Sequence, residues 1–300
     1  MVAPMQSSFY EEDYRPVVRE KATLGFLPGT GVEIVRPPRR RGPRRHVLFD
    51  FDGTLSLIRE GWMDVMVPMM VEVLQATGTD ESAATLALLV REFVMELNGK
   101  QTIYQMIRLA EEVRRRGGVP EEPLHYKQVY HERLMARIAG RREALRSGRV
   151  SPEEMLVPYS LEVLDELKRR GVALYVASGT DEHYVMDEVR LLGLDTYFGP
   201  HAYGALDDYA SYSKAMVIER ILRENRVEGE SLLGFGDGYV EIQNVAAVGG
   251  TTVAVASDEA GRSGRPDAWK RDRLIGAGAE MVIPDFRDWD ALVRYLWNEE

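Results

Sequence analysis

The sequence predicts an α/β fold: a parallel sheet with helices on both faces, interrupted after an early strand by an all-helical insertion. Three observations carry that expectation. His46-Val47-Leu48-Phe49 is a mostly apolar run that leaves through Asp50-Phe51-Asp52-Gly53-Thr54, the pattern of a buried strand whose acids emerge at its C-terminal end. From Pro158 onward helical and strand-like segments alternate, as parallel strands joined by crossover helices do. Between these parts, residues 58–157 show only helical periodicity,.

The elements follow in order. Residues 1–31 mix Pro, Gly and charge without a sustained period and read as an extension. Val32-Glu33-Ile34-Val35 reads as a short edge strand, and Pro37, Pro38 and Pro43 break regular structure up to His46,. In the insertion, Trp62, Val65, Met66, Met69, Met70, Val73 and Leu74 recur at helical spacing as far as Gly78. Further helices are expected over 81–97, ended by Asn98-Gly99, and over 102–116 and 123–146,. After Pro158 the pattern gives helices over 161–170, 181–192, 212–225, 240–248, 267–277 and 289–297. Strands are expected over 172–177, 231–235, 251–256 and 281–284,. The sheet is therefore Rossmann-like. The domain boundaries expected are an extension and basic linker at 1–45, an α/β core at 46–57 and 158–300, and a helical domain at 58–157.

Composition narrows the partners. Three hundred residues with 45% hydrophobic content suffice for one large domain or two smaller ones,. The chain has no cysteine, which excludes disulfides, thiolate metal sites and a cysteine nucleophile and suits a reducing cytosol. The start lacks a basic segment followed by an apolar core, and no apolar run approaches membrane-spanning length,. A soluble cytoplasmic protein without a membrane partner is expected. A formal charge of −10 argues against general nucleic-acid affinity,. The basic stretch 36–45 (RPPRRRGPRR) has no interleaved aromatic residues for stacking on bases, and reads as a solvated linker.

Chemistry is expected at the strand ends, where open α/β sheets place their ligand crevice. Asp50 and Asp52 are like charges close together, so either a cation lies between them or one stays protonated; magnesium suits hard oxygen ligands. Ala177-Ser178-Gly179-Thr180 follows a buried strand, and a hydroxyl with N–H groups at a helix start would cradle phosphate. Lys214 opens a helix, where its charge opposes the local dipole and better serves as a ligand to phosphate. In Gly234-Phe235-Gly236-Asp237-Gly238-Tyr239-Val240-Glu241, acids follow a third apolar strand and a glycine-rich bend, with Asp237 and Glu241 one helical turn apart,.

These stretches, in this order, resemble the four motifs of the haloacid dehalogenase (HAD) superfamily, whose DxDGT motif is met letter for letter by Asp50-Phe51-Asp52-Gly53-Thr54. The resemblance spans 47–285. It implies magnesium held by Asp50, Asp237 and the backbone carbonyl of Asp52, with Glu241, where Asp is commoner, binding directly or through water. It implies Asp50 as a nucleophile that becomes an aspartyl phosphate and Asp52 as general acid and then base. Phosphate would be bound by Thr54, Ser178, Gly179 and Lys214. An acid two residues after the nucleophile serves phosphoryl chemistry rather than dehalogenation, because halide leaves unprotonated.

The insertion between motifs one and two implies a helical cap of the kind that excludes water and reads the leaving group. Gly99, Lys100 and Gln101 resemble the cap loop that points at the active site, and Arg59, Glu60 and Trp62 lie at the hinge and entrance. The polar segment 257–273 is a further candidate wall. The activity expected is magnesium-dependent hydrolysis of a small phosphorylated metabolite, a sugar phosphate being one candidate. A phosphomutase of the same fold and a non-catalytic binding or regulatory module are the alternatives.

Overall fold

The computed structural model describes residues 13–18 and 23–299. One sheet contains β1 (Gly25–Phe26), β2 (Glu33–Ile34), β3 (His46–Phe49), β4 (Ala173–Asp181), β5 (Ala202–Ala205), β6 (Leu232–Gly236), β7 (Thr251–Val255) and β8 (Met281–Ile283). Their order is β1-β2-β8-β7-β6-β3-β4-β5. The six strands from β8 to β5 run parallel, and β1 and β2 join antiparallel beside β8. Around the sheet lie α5 (Ser160–Arg169), α6 (Glu182–Leu191), α7 (Asp195–Phe198), α8 (Lys214–Asn225), α9 (Tyr239–Ala247), α10 (Ala268–Ala277) and α11 (Trp289–Trp297). The insertion is α1 (Met63–Gln75), α2 (Ala83–Glu96), α3 (Thr102–Arg115) and α4 (Pro123–Arg146). No helix among the described residues is long and apolar enough to cross a membrane.

β3 is central and buried throughout, as a strand covered on both faces must be. Phe49 stacks on Phe235 of β6 at 4.9 Å and meets Phe198 and Phe286 edge-on, which fixes the level of the strand ends above it. In the insertion Met66, Met69 and Met70 are fully buried, so the methionine stripe fills a core.

Four sequence expectations are corrected. The 32–35 segment is not an edge strand, because β1 lies outside β2; part of the extension thus belongs to the sheet. β1, β5 and α7 were not anticipated: two or four residues carry too little periodicity to register,. β4 continues through Asp181, beyond the expected 177, with its register to β5 shifting between Ala177 and Asp181. The basic stretch is docked in part rather than wholly solvated: Arg39, Arg40, Arg41 and Arg45 are exposed, while Arg44 is not. Arg44 is buried and donates to the carbonyl of Glu230 (2.7 Å) and to Thr251 Oγ1 (2.8 Å), and Arg41 Nε donates to the Tyr295 carbonyl (2.7 Å) in the last turn of α11, where a cation meets free carbonyls.

Polar ties join the insertion to the α/β core at several points, two of them far apart on the insertion. Lys127 Nζ of α4 lies 2.5 Å from Asp181 Oδ1, beside a His131 ring that burial, chiefly, lowers to a pKa of about 3 and so keeps neutral. Arg273 of α10 donates to the Glu96 carbonyl at the end of α2 (2.6 Å).

Candidate active site

The Asp50 N–H donates to the Phe235 carbonyl at 2.9 Å, carrying the pairing of β3 with β6 one residue past the strand. The chain then turns at Gly53 (φ +76°), where a Cβ would collide with the Asp237 carboxylate; only glycine permits both. Asp50 is 5% exposed and accepts a hydrogen bond from Lys214 Nζ at 2.8 Å. Burial pushes its carboxyl up to about 7; Lys214 opposes the shift, and the Asp237 and Asp52 charges add to it,.

Asp52 Oδ2 accepts from Thr180 Oγ1 (2.9 Å) and Ser178 Oγ (3.2 Å). Its Oδ1 is buried with no hydrogen-bond partner, and the Arg59 guanidinium is 3.7 Å away. Arg59 itself forms a fork on Glu188 at 3.0 and 2.9 Å, so it sits beside Asp52 within the site rather than at an entrance. The expected helix-start cradle is corrected here. Ser178, Gly179 and Thr180 belong to the irregular end of β4, α6 begins only at Glu182, and the Thr180 N–H is taken by Ser178 Oγ (3.0 Å).

Glu241 stands apart from the other expected metal ligands. It is 1% exposed, pairs with Lys214 and is no part of the cavity wall. Its extra methylene carries the carboxylate back onto the lysine, so Lys214 spans Asp50 and Glu241. In place of a fourth acid at Asp237 the structure has Lys270 of α10, whose Nζ donates to Asp237 Oδ2 (2.8 Å), Glu259 Oε1 (2.6 Å) and Ser257 Oγ (3.1 Å). Burial works against the Lys270 charge, and Asp237 and Glu259 more than offset it, holding the ammonium above the usual lysine range. Burial raises Glu259, with Lys270 opposing. The segment 257–273 is therefore a wall, but the roles of Glu259 and Lys270 in it had no local sequence signal.

The α2–α3 loop lies directly on this floor. A Cβ on Gly99 would stand 3.1 Å from Gly238 Cα, and one on Gly179 would stand 2.7 Å from the Lys100 carbonyl, so three glycines let loop and strand ends touch. Beneath the loop is a cavity of about 190 Å³. Asp50, Asp52, Ser178, Gly179, Lys214 and Asp237 face it, as do Arg59, Trp62, Gly99 and Lys100. Thr54 and Gln101 do not. Thr54 is fully buried, and the Gln101 amide turns away to donate to the carbonyls of Tyr212 (2.8 Å) and Tyr209 (3.3 Å), bracing the loop before α8. Lys100 is buried, not solvated.

Among the described residues no group of three or more acidic or histidine side chains is set to hold a metal ion. Two carboxylates, Asp50 and Asp237, with the orphaned Asp52 Oδ1 nearby, nonetheless fit magnesium, which is usually bound through one or two carboxylates with water and substrate phosphate.

Residues 45–249 match the family model of haloacid dehalogenase-like hydrolases. No curated protein matches the chain. Three solved structures share the fold at low identity. β-Phosphoglucomutase from Clostridium difficile has a TM-score of 0.55 and 11% identity, covering 85% of this chain and 98% of that one. A mutant of CbbY from Rhodobacter sphaeroides in complex with xylulose-1,5-bisphosphate scores 0.53 at 20% identity, covering 81% and 95%. A haloacid dehalogenase-like protein of unknown function from Agrobacterium tumefaciens scores 0.53 at 18% identity, covering 84% and 98%.

Proposed function

The chain belongs to the haloacid dehalogenase-like hydrolases, and from that premise we propose that it is a magnesium-dependent phosphatase of the cytoplasm acting on a small phosphorylated metabolite, with residues 58–157 as its cap. The observation that supports this most is the pairing of roles on one strand end: Asp50 held by a buried lysine, and Asp52 held by two hydroxyls. An Asp50 oxygen attacks phosphorus as the bond to the leaving oxygen breaks, and Asp52 gives that oxygen its proton. Asp52 then takes a proton from the water whose oxygen displaces Asp50, releasing phosphate. Ser178 and Thr180 orient Asp52 through both steps, and Lys214 offsets charge on the phosphoryl oxygens. Asp50, Asp237 and the Asp52 carbonyl would hold magnesium, which when bound would supply charge neutralisation for the phosphoryl group. The cap loop over Gly238 and Gly179 keeps bulk water from the intermediate.

The test is a screen of phosphorylated metabolites and an aryl phosphate with magnesium, reading free phosphate per substrate consumed. Stoichiometric release supports a phosphatase. Conversion without release favours a mutase, and no reaction with any substrate, the aryl phosphate included, removes the catalytic reading.

Lys270 occupies one oxygen of Asp237, so it competes with any metal for that carboxylate. Lys270→Met is expected to tighten Mn2+ binding by about tenfold, the equivalent of losing one charge-assisted contact. Calorimetric titration reads this without turnover, and an unchanged affinity would separate Lys270 from the metal site.

A further inference from the structure

We propose that the segment ahead of the sheet helps select the substrate: Asp13 neutralises Lys100, and the leaving-group side of the cavity is thereby matched to neutral, hydroxyl-bearing leaving groups and set against a second anionic group. This rests on the phosphatase reading and goes beyond it to the substrate class.

Residues 13–18 are fixed in place. The N–H groups of Val17 and Val18 donate to the Gly276 carbonyl (2.9 and 3.2 Å), and Gln243 Nε2 donates to the Arg15 carbonyl (2.9 Å). Tyr14 meets Tyr239 edge-on at 5.4 Å, lies 4.0 Å from the Arg273 guanidinium and donates through its hydroxyl to the Arg273 carbonyl (3.2 Å). The arm thus runs across α9 and α10 toward the cap, and at its start the Asp13 carboxylate accepts from Lys100 Nζ at 2.7 Å. The lysine side chain is 4% exposed and the aspartate 69% exposed. The arm lies outside the 45–249 stretch that matches the family, and the neighbours cited above are covered almost whole while covering 81% to 85% of this chain.

A buried ammonium needs a counter-charge. Lys100 finds it in Asp13, and Arg59, the other cation on that side, finds it in Glu188. Lys214 and Lys270, the remaining cations of the described wall, are paired with Asp50 and Asp237. A second phosphate or a carboxylate on the leaving group would therefore have to displace a carboxylate already bound. The wall otherwise offers Trp62, Met63, Met66 and Met95 as apolar surface, with Asn98 and Gln105 as neutral hydrogen-bonding groups. Such a surface receives a small alcohol. The volume of about 190 Å³ exceeds only modestly the roughly 150 Å³ that holds a benzene ring.

The experiment compares α-glycerophosphate with phosphoglycerate, which are close in size and differ by a carboxylate. The wild-type protein is expected to favour glycerophosphate in kcat/KM. Asp13→Asn should raise the phosphoglycerate to glycerophosphate ratio about tenfold, and Asp13→Glu should restore the wild-type ratio, which a merely structural loss would not do. A ratio unmoved by Asp13→Asn overturns the proposal, as does a wild-type preference for phosphoglycerate. The same two compounds are titrated calorimetrically into Asp50→Asn and into Asp50→Asn/Asp13→Asn, so the binding ratio decides the point without turnover. If no phosphate ester, the aryl phosphate included, is hydrolysed, the phosphatase reading fails separately and the calorimetric ratio still tests Asp13.

Discussion

Asp50→Asn is expected to lower turnover by about ten-thousandfold or more, the scale seen when a covalent nucleophile is removed, while the protein still folds. The amide keeps the shape of the carboxylate, and Lys214 keeps Glu241 as its counter-ion. Removing a charge that burial already disfavours does not weaken the core. Phosphate release, acid-quenched phosphoryl-protein and thermal unfolding read the three parts of this expectation. Normal phosphate release by a folded Asp50→Asn protein would sink the mechanism, since no other carboxylate takes the same place at the end of β3.

Lys214→Met is expected to do damage of a different kind. Lys214 is 2% exposed and spans two carboxylates that are themselves almost fully buried. Removing one partner of such a pair leaves uncompensated charge and costs about 3–5 kcal/mol; methionine preserves the volume, so the loss is electrostatic rather than a cavity. Turnover should fall about a hundredfold or more, as when a fixed donor to developing charge is lost, and should fall equally for an aryl phosphate and for the natural substrate, because both present the same phosphoryl group. Denaturant unfolding and paired kinetics check this. If stability were unchanged, Lys214 would not be the counter-ion of this buried cluster; if only one substrate suffered, it would belong to the leaving-group side.

The sequence made the central strand and its two acids legible because a buried parallel strand is a continuous apolar run, and acids at its end interrupt that run visibly. Lys214 and Asp237 were legible for the same reason, each following a strong strand or opening a strong helix. The partner of Glu241 was not legible, because spacing shows that it lies one turn from Asp237 but not that its side chain reaches Lys214. Ser178 was placed at a helix start because a bulged strand and a helix N-terminus look alike over three small polar residues. Lys270 and Glu259 were missed outright. They stand eleven residues apart in a polar segment with no period, and only the packing of α10 against α9 and β7 brings their side chains to Asp237. Asp13 is the extreme case, 87 positions from the lysine it contacts, with nothing local to mark it.

The placement of the insertion also dictates the order in which this protein can assemble. β3 pairs His46 with Ala173 on one side and with Leu232 on the other, so the middle of the sheet cannot close until the whole helical insertion has been accommodated between the first two partners. Closing long loops costs entropy before any contact repays it, whereas the insertion is built from neighbouring helices with local contacts. Helical structure should therefore precede the sheet on refolding, and Asp50 meets Lys214 and Asp237 only when β3 has paired across its long-range partners. Asp50 and Asp52 therefore lack Lys214 and Asp237 until the sheet has closed across β3, and recovery of activity is a late clock for native topology.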